Sequence, residues 1–292
     1  MVIDDGSIDK TFNILSEIRD KRLLLLKNDK NMGLVNTLNR GLRESQSEYI
    51  ARMDADDISC PTRLEKQLDF LDKNKDYGLC GTWGKSFDGD KAEIMPPTDN
   101  SKIKIEMLFA NCFIHSSVMM RSKILRLHGL QYSQVAAEDY DLWLKLCAVT
   151  KVKNLDEILV YYRVHSEQIT QSSVGSVEKS AKLLREKYLS RLLSRATDKD
   201  TTSLDVIARK KIDQTNMIQC YGFLCRVLHQ GEFESDIERS DMLLVLKRKI
   251  GVIKRALSQA SILYKAKLML SNPVFFWGVR FKKIPPKALC IK

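Results

Sequence analysis

Two kinds of apolar pattern alternate along the first third of the chain. Short apolar runs, Val2-Ile3, Leu23-Leu24-Leu25-Leu26 and Tyr49-Ile50-Ala51-Arg52-Met53, read as strands. Between them the spacing turns helical, with Phe12, Ile14, Leu15 and Ile18 in one segment and Leu34, Leu38 and Leu42 in the next. Asp4-Asp5-Gly6-Ser7-Ile8-Asp9 forms the turn after the first strand, where Ser7 or Asp9 can cap the following helix. Strand, helix, strand, helix, strand predicts α/β architecture with a mostly parallel central sheet. Ligands of such sheets bind beyond the carboxyl ends of the strands, which is where Asp4-Asp5 and Asp54-Ala55-Asp56-Asp57 fall.

Further along, Pro61 opens a helix through Leu64, Leu68 and Leu71, and residues 78–83 read as a strand. Residues 88–100, with Gly89, Pro96 and Pro97, read as an irregular excursion. A helix over 102–110, a strand over 112–121, a helix over 140–146 with acids at its start, and a strand over 160–165 follow. From about residue 176 the pattern is helical, with a polar break at 197–203. The expected organisation is therefore an α/β domain over 1–175, a helical extension over 176–240 and a basic amphipathic tail over 241–292.

Composition narrows the class. At 292 residues, 44% hydrophobic and 29% charged, the chain is of ordinary globular type. Its seven cysteines form no CxxC pair, which argues against a zinc site or a disulfide framework and suits a reducing cytoplasm. No run of about 18 apolar residues exists to span a bilayer, and Met1 leads directly into the first strand with no signal peptide. The net charge of +11 is concentrated in residues 241–292, which hold 12 Lys/Arg against the single acid Asp241. Within that tail Leu243, Leu246, Ile250, Ile253, Leu257, Ala260, Tyr264 and Leu268 form a helical stripe beside the cations, and Phe275-Phe276-Trp277 follows. Aromatics beside cations suit an anionic membrane surface; the plain alternative is a stripe packed on the rest of the protein with its cations solvated.

Three carboxylates within four residues, at 54, 56 and 57, repel one another unless a cation offsets them. A hard divalent ion bound through oxygen does so, and Mg²⁺ typically takes one or two carboxylates and leaves its other positions to water and phosphates. The competing reading is a solvated turn. A second acidic pair, Glu138-Asp139, stands at the start of the helix over 140–146, where it either caps that helix or does chemistry.

These motifs together resemble family 2 of the inverting glycosyltransferases, which have a GT-A fold. The resemblance is carried in order by Val2-Ile3-Asp4-Asp5-Gly6-Ser7, Asn31-Met32-Gly33, Asn39-Arg40-Gly41, Met53-Asp54-Ala55-Asp56-Asp57, Pro61-Thr62-Arg63-Leu64, His115-Ser116-Ser117-Val118-Met119, Glu138-Asp139-Tyr140-Asp141-Leu142-Trp143 and Tyr162-Arg163. It spans roughly residues 1–170 and is strongest to bacterial enzymes building O-antigen, capsule or other surface polysaccharide. It implies that Asp5 accepts a hydrogen bond from the uracil of a UDP-sugar and that Asp54 contacts the ribose or donor sugar. It further implies that Asp56, with Asp54, ligates Mn²⁺ or Mg²⁺ on the diphosphate. Asp139, or Glu138, would be the base that deprotonates the acceptor, and Arg163 and His165 would contact the diphosphate. The implied partners are a nucleotide-sugar donor, a lipid-linked oligosaccharide acceptor and, through the basic tail, an anionic membrane, on the cytoplasmic face of which the protein would sit peripherally.

Members of that family carry a strand and a helix before the Asp-Asp-Gly-Ser turn. This sequence begins inside the turn's own strand, so an N-terminally truncated sheet is expected. Two rival readings stay open: a truncated, catalytically impaired remnant that binds only a membrane or partner, and a basic nucleic-acid-binding protein. The second is disfavoured because the aromatics cluster instead of interleaving along a basic groove.

Overall fold

The computed structural model describes residues 1–87, 92–164, 174–232, 235–272, 274, 275 and 279. The chain divides into two compact units that do not follow chain order. One comprises residues 1–93, 114–151 and 157–173; the other comprises 94–113, 152–156 and 174–292.

The first unit begins with β1 (Val2–Asp4) and β2 (Leu25–Lys27), which pair in parallel with Val2 opposite Leu25. The two form a sheet of their own. Helix α1 (Thr11–Ser16) connects them, and α2 (Leu34–Glu44) follows β2. The larger sheet contains β3 (Tyr49–Ala51), β4 (Ile58–Ser59), β5 (Tyr77–Ser86), β6 (Glu93–Ile94), β7 (Met119–Arg121) and β8 (Lys151–Tyr162). Its order is β3-β7-β5-β8-β4, with β6 beside β5. β3 with β7, β5 with β7 and β4 with β8 all run antiparallel. The α/β architecture with a helical C-terminal region stands, but the mostly parallel sheet does not: the sheet is mixed. The reason is that an unbroken apolar run reports burial on both faces of a strand and is silent on its direction.

Helix α3 (Arg63–Lys73) turns two buried polar residues inward. Gln67 Nε2 donates to the carbonyls of Cys80 at 2.6 Å and Ser117 at 2.8 Å, and Arg63 donates to the carbonyls of Ser116 and, at 3.3 Å, Arg52. Leaving such carbonyls unpaired in the interior costs about 1–3 kcal/mol each, so these bonds fix where residues 115–117 sit. That segment is a single 3₁₀ turn, His115–Ser117, and only Met119–Arg121 of the strand expected over 112–121 forms. A strand would send Ser116 and Ser117 to opposite faces. The turn instead frees Ser116 for the acidic cluster, while Ser117 Oγ donates to Ile114 O at 2.8 Å and accepts from Thr82 N at 3.2 Å. Helices α5 (Ser122–Leu127) and α6 (Glu138–Cys147) complete the unit, with Trp143 and Leu146 of α6 fully buried.

The second unit is helical: α4 (Asn100–Glu106), α7 (Val174–Leu192), α8 (Asp198–Ala208), α9 (Met217–Gln230), α10 (Arg239–Gln259) and α11 (Ile262–Ser271). The polar break expected at 197–203 is a helix start. Thr197 Oγ1 accepts from Asp200 N at 3.3 Å, and Asp200 Oδ2 accepts from Thr197 N at 2.9 Å, a capping box.

Helix α10 packs on α4 and α9, burying Met242, Val245, Leu246, Ile250, Ile253 and Leu257. Lys249 Nζ bonds Glu106 at 2.6 Å and lies 4.5 Å over the Phe109 ring. The stripe expected to lie on a membrane is thus largely interior. At about 1.5–3 kcal/mol per buried side chain, exposing these six would cost about as much as the whole stability of a domain, about 5–15 kcal/mol. Phe275 is also interior, edge-on to Tyr221 at 5.4 Å; Phe276 and Trp277 lie outside the described residues. Among the described residues, no helix is long and apolar enough to cross a membrane.

Candidate functional site

The first turn of the chain is clamped by its own backbone. Gly6 has φ +75°, and a Cβ there would meet the Lys30 carbonyl carbon at 2.4 Å. This close approach lets the Asp5 carboxylate reach the loop before α2. Its Oδ1 accepts from Asn28 Nδ2 at 2.6 Å and Met32 N at 2.8 Å, and its Oδ2 accepts from Gly33 N at 2.9 Å. Burial pushes the Asp5 carboxyl up, but the Met32 amide, the Asn28 and Thr37 side chains and the Gly33 amide outweigh it and hold it below its ordinary value. Asp5 is therefore ionised and engaged by three donors in loop 28–33.

The central cluster follows β3. One carboxylate oxygen from each of Asp54, Asp56 and Asp57 lies within 4.8 Å of the others. Asp54 is half-exposed and receives both terminal nitrogens of Arg52, whose side chain is only 8% exposed. Ser116 Oγ accepts from Asp54 N at 3.0 Å and donates to Asp54 Oδ2 at 2.9 Å. Asp57 Oδ1 accepts from Arg163 N at 2.9 Å, and Arg163 Nε donates to the Asp56 carbonyl at 3.3 Å. The Arg163 guanidinium stacks 4.7 Å over Phe87. Burial pushes the Asp57 carboxyl above its ordinary value; bonds from Ser116 and Arg163 oppose this, and the charges of Asp54 and Asp56 add to it. Three carboxylates gathered this closely form a site short of positive charge, and their hard oxygen donors suit Mg²⁺ or Mn²⁺. Arg52 already offsets the charge of Asp54, so a bound ion would be held chiefly through Asp56 and Asp57. Asp57 was not among the ligands expected from the sequence.

Glu138 and Asp139 open α6, and no side chain caps this helix. Asp139 Oδ1 accepts from Tyr140 N at 2.6 Å, so the adjoining backbone amide orients its carboxylate. Burial pushes the Glu138 carboxyl up; the neighbouring charges of Asp139 and Asp54 add to this and Arg52 opposes it. Tyr132 is raised by burial and feels Arg52, Asp139, Glu138 and Asp54 together. The two acidic groups, 80 residues apart in sequence, therefore share one electrostatic neighbourhood with Arg52 in it.

His115 Nε2 lies 3.0 Å from Tyr132 Oη, with the ring edge-on to Trp143 at 5.8 Å. Burial, with Arg52 nearby, pushes its pKa well below the ordinary value, so it is a neutral interior residue. His165, expected at the diphosphate, lies outside the described residues. Sequence reading missed Arg52 and Ser116, the side chains that hold Asp54. Their one signal was position, inside the motifs around the cluster and around His115, where a strand-like pattern hid them.

The sequence profile of Glycosyl transferase family 2 matches residues 1–127. The chain is 28% identical to an uncharacterised glycosyltransferase of Haemophilus influenzae, over 90% of this chain and 88% of that protein. It is 31% identical to an Escherichia coli UDP-Gal:alpha-D-GlcNAc-diphosphoundecaprenol beta-1,3-galactosyltransferase, over 64% of this chain and 70% of that one. Among solved structures, Staphylococcus aureus TarS 1–349 in complex with UDP-GlcNAc superposes with a TM-score of 0.57 at 16% identity, covering 97% of this chain and 78% of that one. This last likeness is one of fold.

Proposed function

The chain belongs to glycosyl transferase family 2, and from that premise we propose that it moves a sugar from a UDP-sugar to a lipid-linked glycan in surface-polysaccharide synthesis, with inversion. The observation that carries this reading is the Asp54, Asp56 and Asp57 cluster, joined by Arg163 on one side and sharing its field with Glu138 and Asp139 on the other. The E. coli relative acts, by its name, on a diphosphoundecaprenol-linked GlcNAc with UDP-Gal, which supports the donor and acceptor classes.

The chemistry follows from the residue types. The acceptor hydroxyl oxygen bonds to the anomeric carbon while the bond to the β-phosphate oxygen breaks and UDP leaves with that electron pair. Asp139, oriented by the Tyr140 amide, takes the hydroxyl proton; Glu138, raised by burial, is the second candidate. Asp56 and Asp57, with Asp54 steadied by Arg52 and Ser116, would hold a divalent ion. That ion would supply positive charge to the leaving diphosphate. Arg163, fixed to Asp56 and Asp57 through its backbone and Nε, adds a second cation beside it. Asp5 shapes the loop at 28–33 against which the uracil would lie. Work on a lipid-linked acceptor belongs at the inner face of the plasma membrane, and the basic segment 241–292 suits that surface.

Calorimetric titration with UDP tests the site. Affinity should fall about tenfold or more when Mn²⁺ is chelated, and to the same degree in Asp56→Asn, about 1.4 kcal/mol. UDP binding indifferent to both metal and Asp56 would contradict the reading.

A further inference from the structure

Helix α11 carries its apolar residues on the outside. Ile262 and Leu263 are each 84% exposed and Leu270 is 81% exposed. Met269 is 41% exposed and Ala266 is also exposed. At 100° per residue these five positions fall on one face about 120° wide. The opposite face is fixed: Leu268 is buried and Tyr264 Oη donates to Gln214 O at 2.7 Å. Ser261 caps the helix through Tyr264 N at 3.2 Å, so α11 is a defined helix with a defined orientation within its unit.

A soluble surface does not normally gather five apolar residues on one helical face, and such a face has an occupant. Charge decides which one. The stripe lies in the segment that carries 12 Lys/Arg and one acid. Lys265 borders the face and donates to Ser258 O at 2.8 Å, and Lys254 and Arg255 are exposed on the preceding helix. We propose that the outer face of α11 inserts into the headgroup boundary of an anionic phospholipid surface, with Lys265 at its border drawn to the headgroups. Helix α11 carries Lys265 and Lys267 and no acid, so a second copy seated on this face would bring like charges together, which disfavours it as the occupant. The proposal is independent of glycosyl transfer, because binding is read with lipid alone. It also moves membrane contact from the buried stripe of α10 to the next helix.

Flotation of the full chain with vesicles of mixed phosphatidylcholine and phosphatidylglycerol is the test. The wild type should float with these vesicles, float weakly with phosphatidylcholine alone, and dissociate as salt is raised. Leu263→Glu with Leu270→Glu should lower partitioning about tenfold or more, with circular dichroism and thermal midpoint unchanged. Leu263→Ser with Leu270→Ser, which adds no charge, should lower it in the same direction. Binding equal in wild type and both variants, or no wild-type binding, would overturn the proposal. So would a wild-type dimer that the double variants convert to monomer, since the occupant would then be a second copy.

Discussion

Arg52 has the most consequential position of any single side chain in the unit. Its guanidinium is buried, grips Asp54 with two nitrogens and reaches Ser116 Oγ at 3.2 Å. Asp54→Asn would leave that buried cation without its counter-charge. It should destabilise the fold by about 2 kcal/mol, below the 3–5 of a fully buried pair because Asp54 is half-exposed. Asp56 is at the surface and at most half-buried, so Asp56→Asn should change stability by under about 0.5 kcal/mol while removing metal-dependent UDP binding. Urea denaturation of the two variants, beside a Mn²⁺ titration, separates structural from functional acids. Glu138 gives a pH prediction. Its carboxyl is raised above the ordinary 4.5 chiefly by burial, with Asp139 and Asp54 adding, so the folded state holds this proton more tightly than the unfolded one. The stability it contributes is complete below 4.5 and is lost as pH rises through the folded value. Glu138→Gln should remove that loss, leaving the variant at least as stable as wild type near neutrality and with a flatter stability curve above pH 4.5. A wild-type curve that rises over this window, with no difference in the variant, would refute the assignment.

At the scale of elements, the turn after β1 and the loop before α2 form one clamp. Gly6 sits at φ +75° with the Lys30 backbone where its Cβ would be. Gly6→Ala should therefore cost about 1–3 kcal/mol in strain and displacement, and should weaken UDP binding because Asp5 loses its geometry. An alanine variant with wild-type denaturation would show that the clamp is dispensable. Much at this scale was legible: β1, β3, α2, α3 and α6 stand where the spacing of Val2-Ile3, Tyr49-Ile50, Leu34/Leu38, Leu64/Leu68 and Leu142/Leu146 put them. Strand direction was not legible, because alternation and burial are the same for parallel and antiparallel neighbours. Nor was the 3₁₀ turn at His115–Ser117, whose cause is a set of distant donors, Arg63 and Gln67 on α3, with no local signature. Thr197-Asp198-Lys199-Asp200 read as a break since polar residues suit both loops and helix starts; the reciprocal bonds of the capping box decide for the latter.

For the molecule as a whole, several acids singled out in the sequence lie together: Asp54, Asp56 and Asp57 form one cluster, and Arg163 bonds to Asp56 and Asp57. Arg163 is brought to them from more than a hundred residues away along the chain, and Glu138 feels the charges of Asp139 and Asp54. The basic tail was legible as charge and illegible as contact, since α10 and α11 have similar patterns and only packing buries one and exposes the other. In the proposed reaction the aspartates at 54–57 bind the donor and Asp139 removes the proton. The most direct measurement is UDP release from UDP-sugar donors, with Mn²⁺ and a GlcNAc-diphospholipid acceptor, in wild type, Asp56→Asn and Asp139→Asn. Wild type alone should show acceptor-dependent release, abolished by chelation, with Asp139→Asn still binding UDP as tightly as wild type while turning over about 10²-fold or more slower. Undiminished turnover in Asp139→Asn or in chelator would contradict it, and no turnover from a folded wild type that binds vesicles would favour the remnant reading instead.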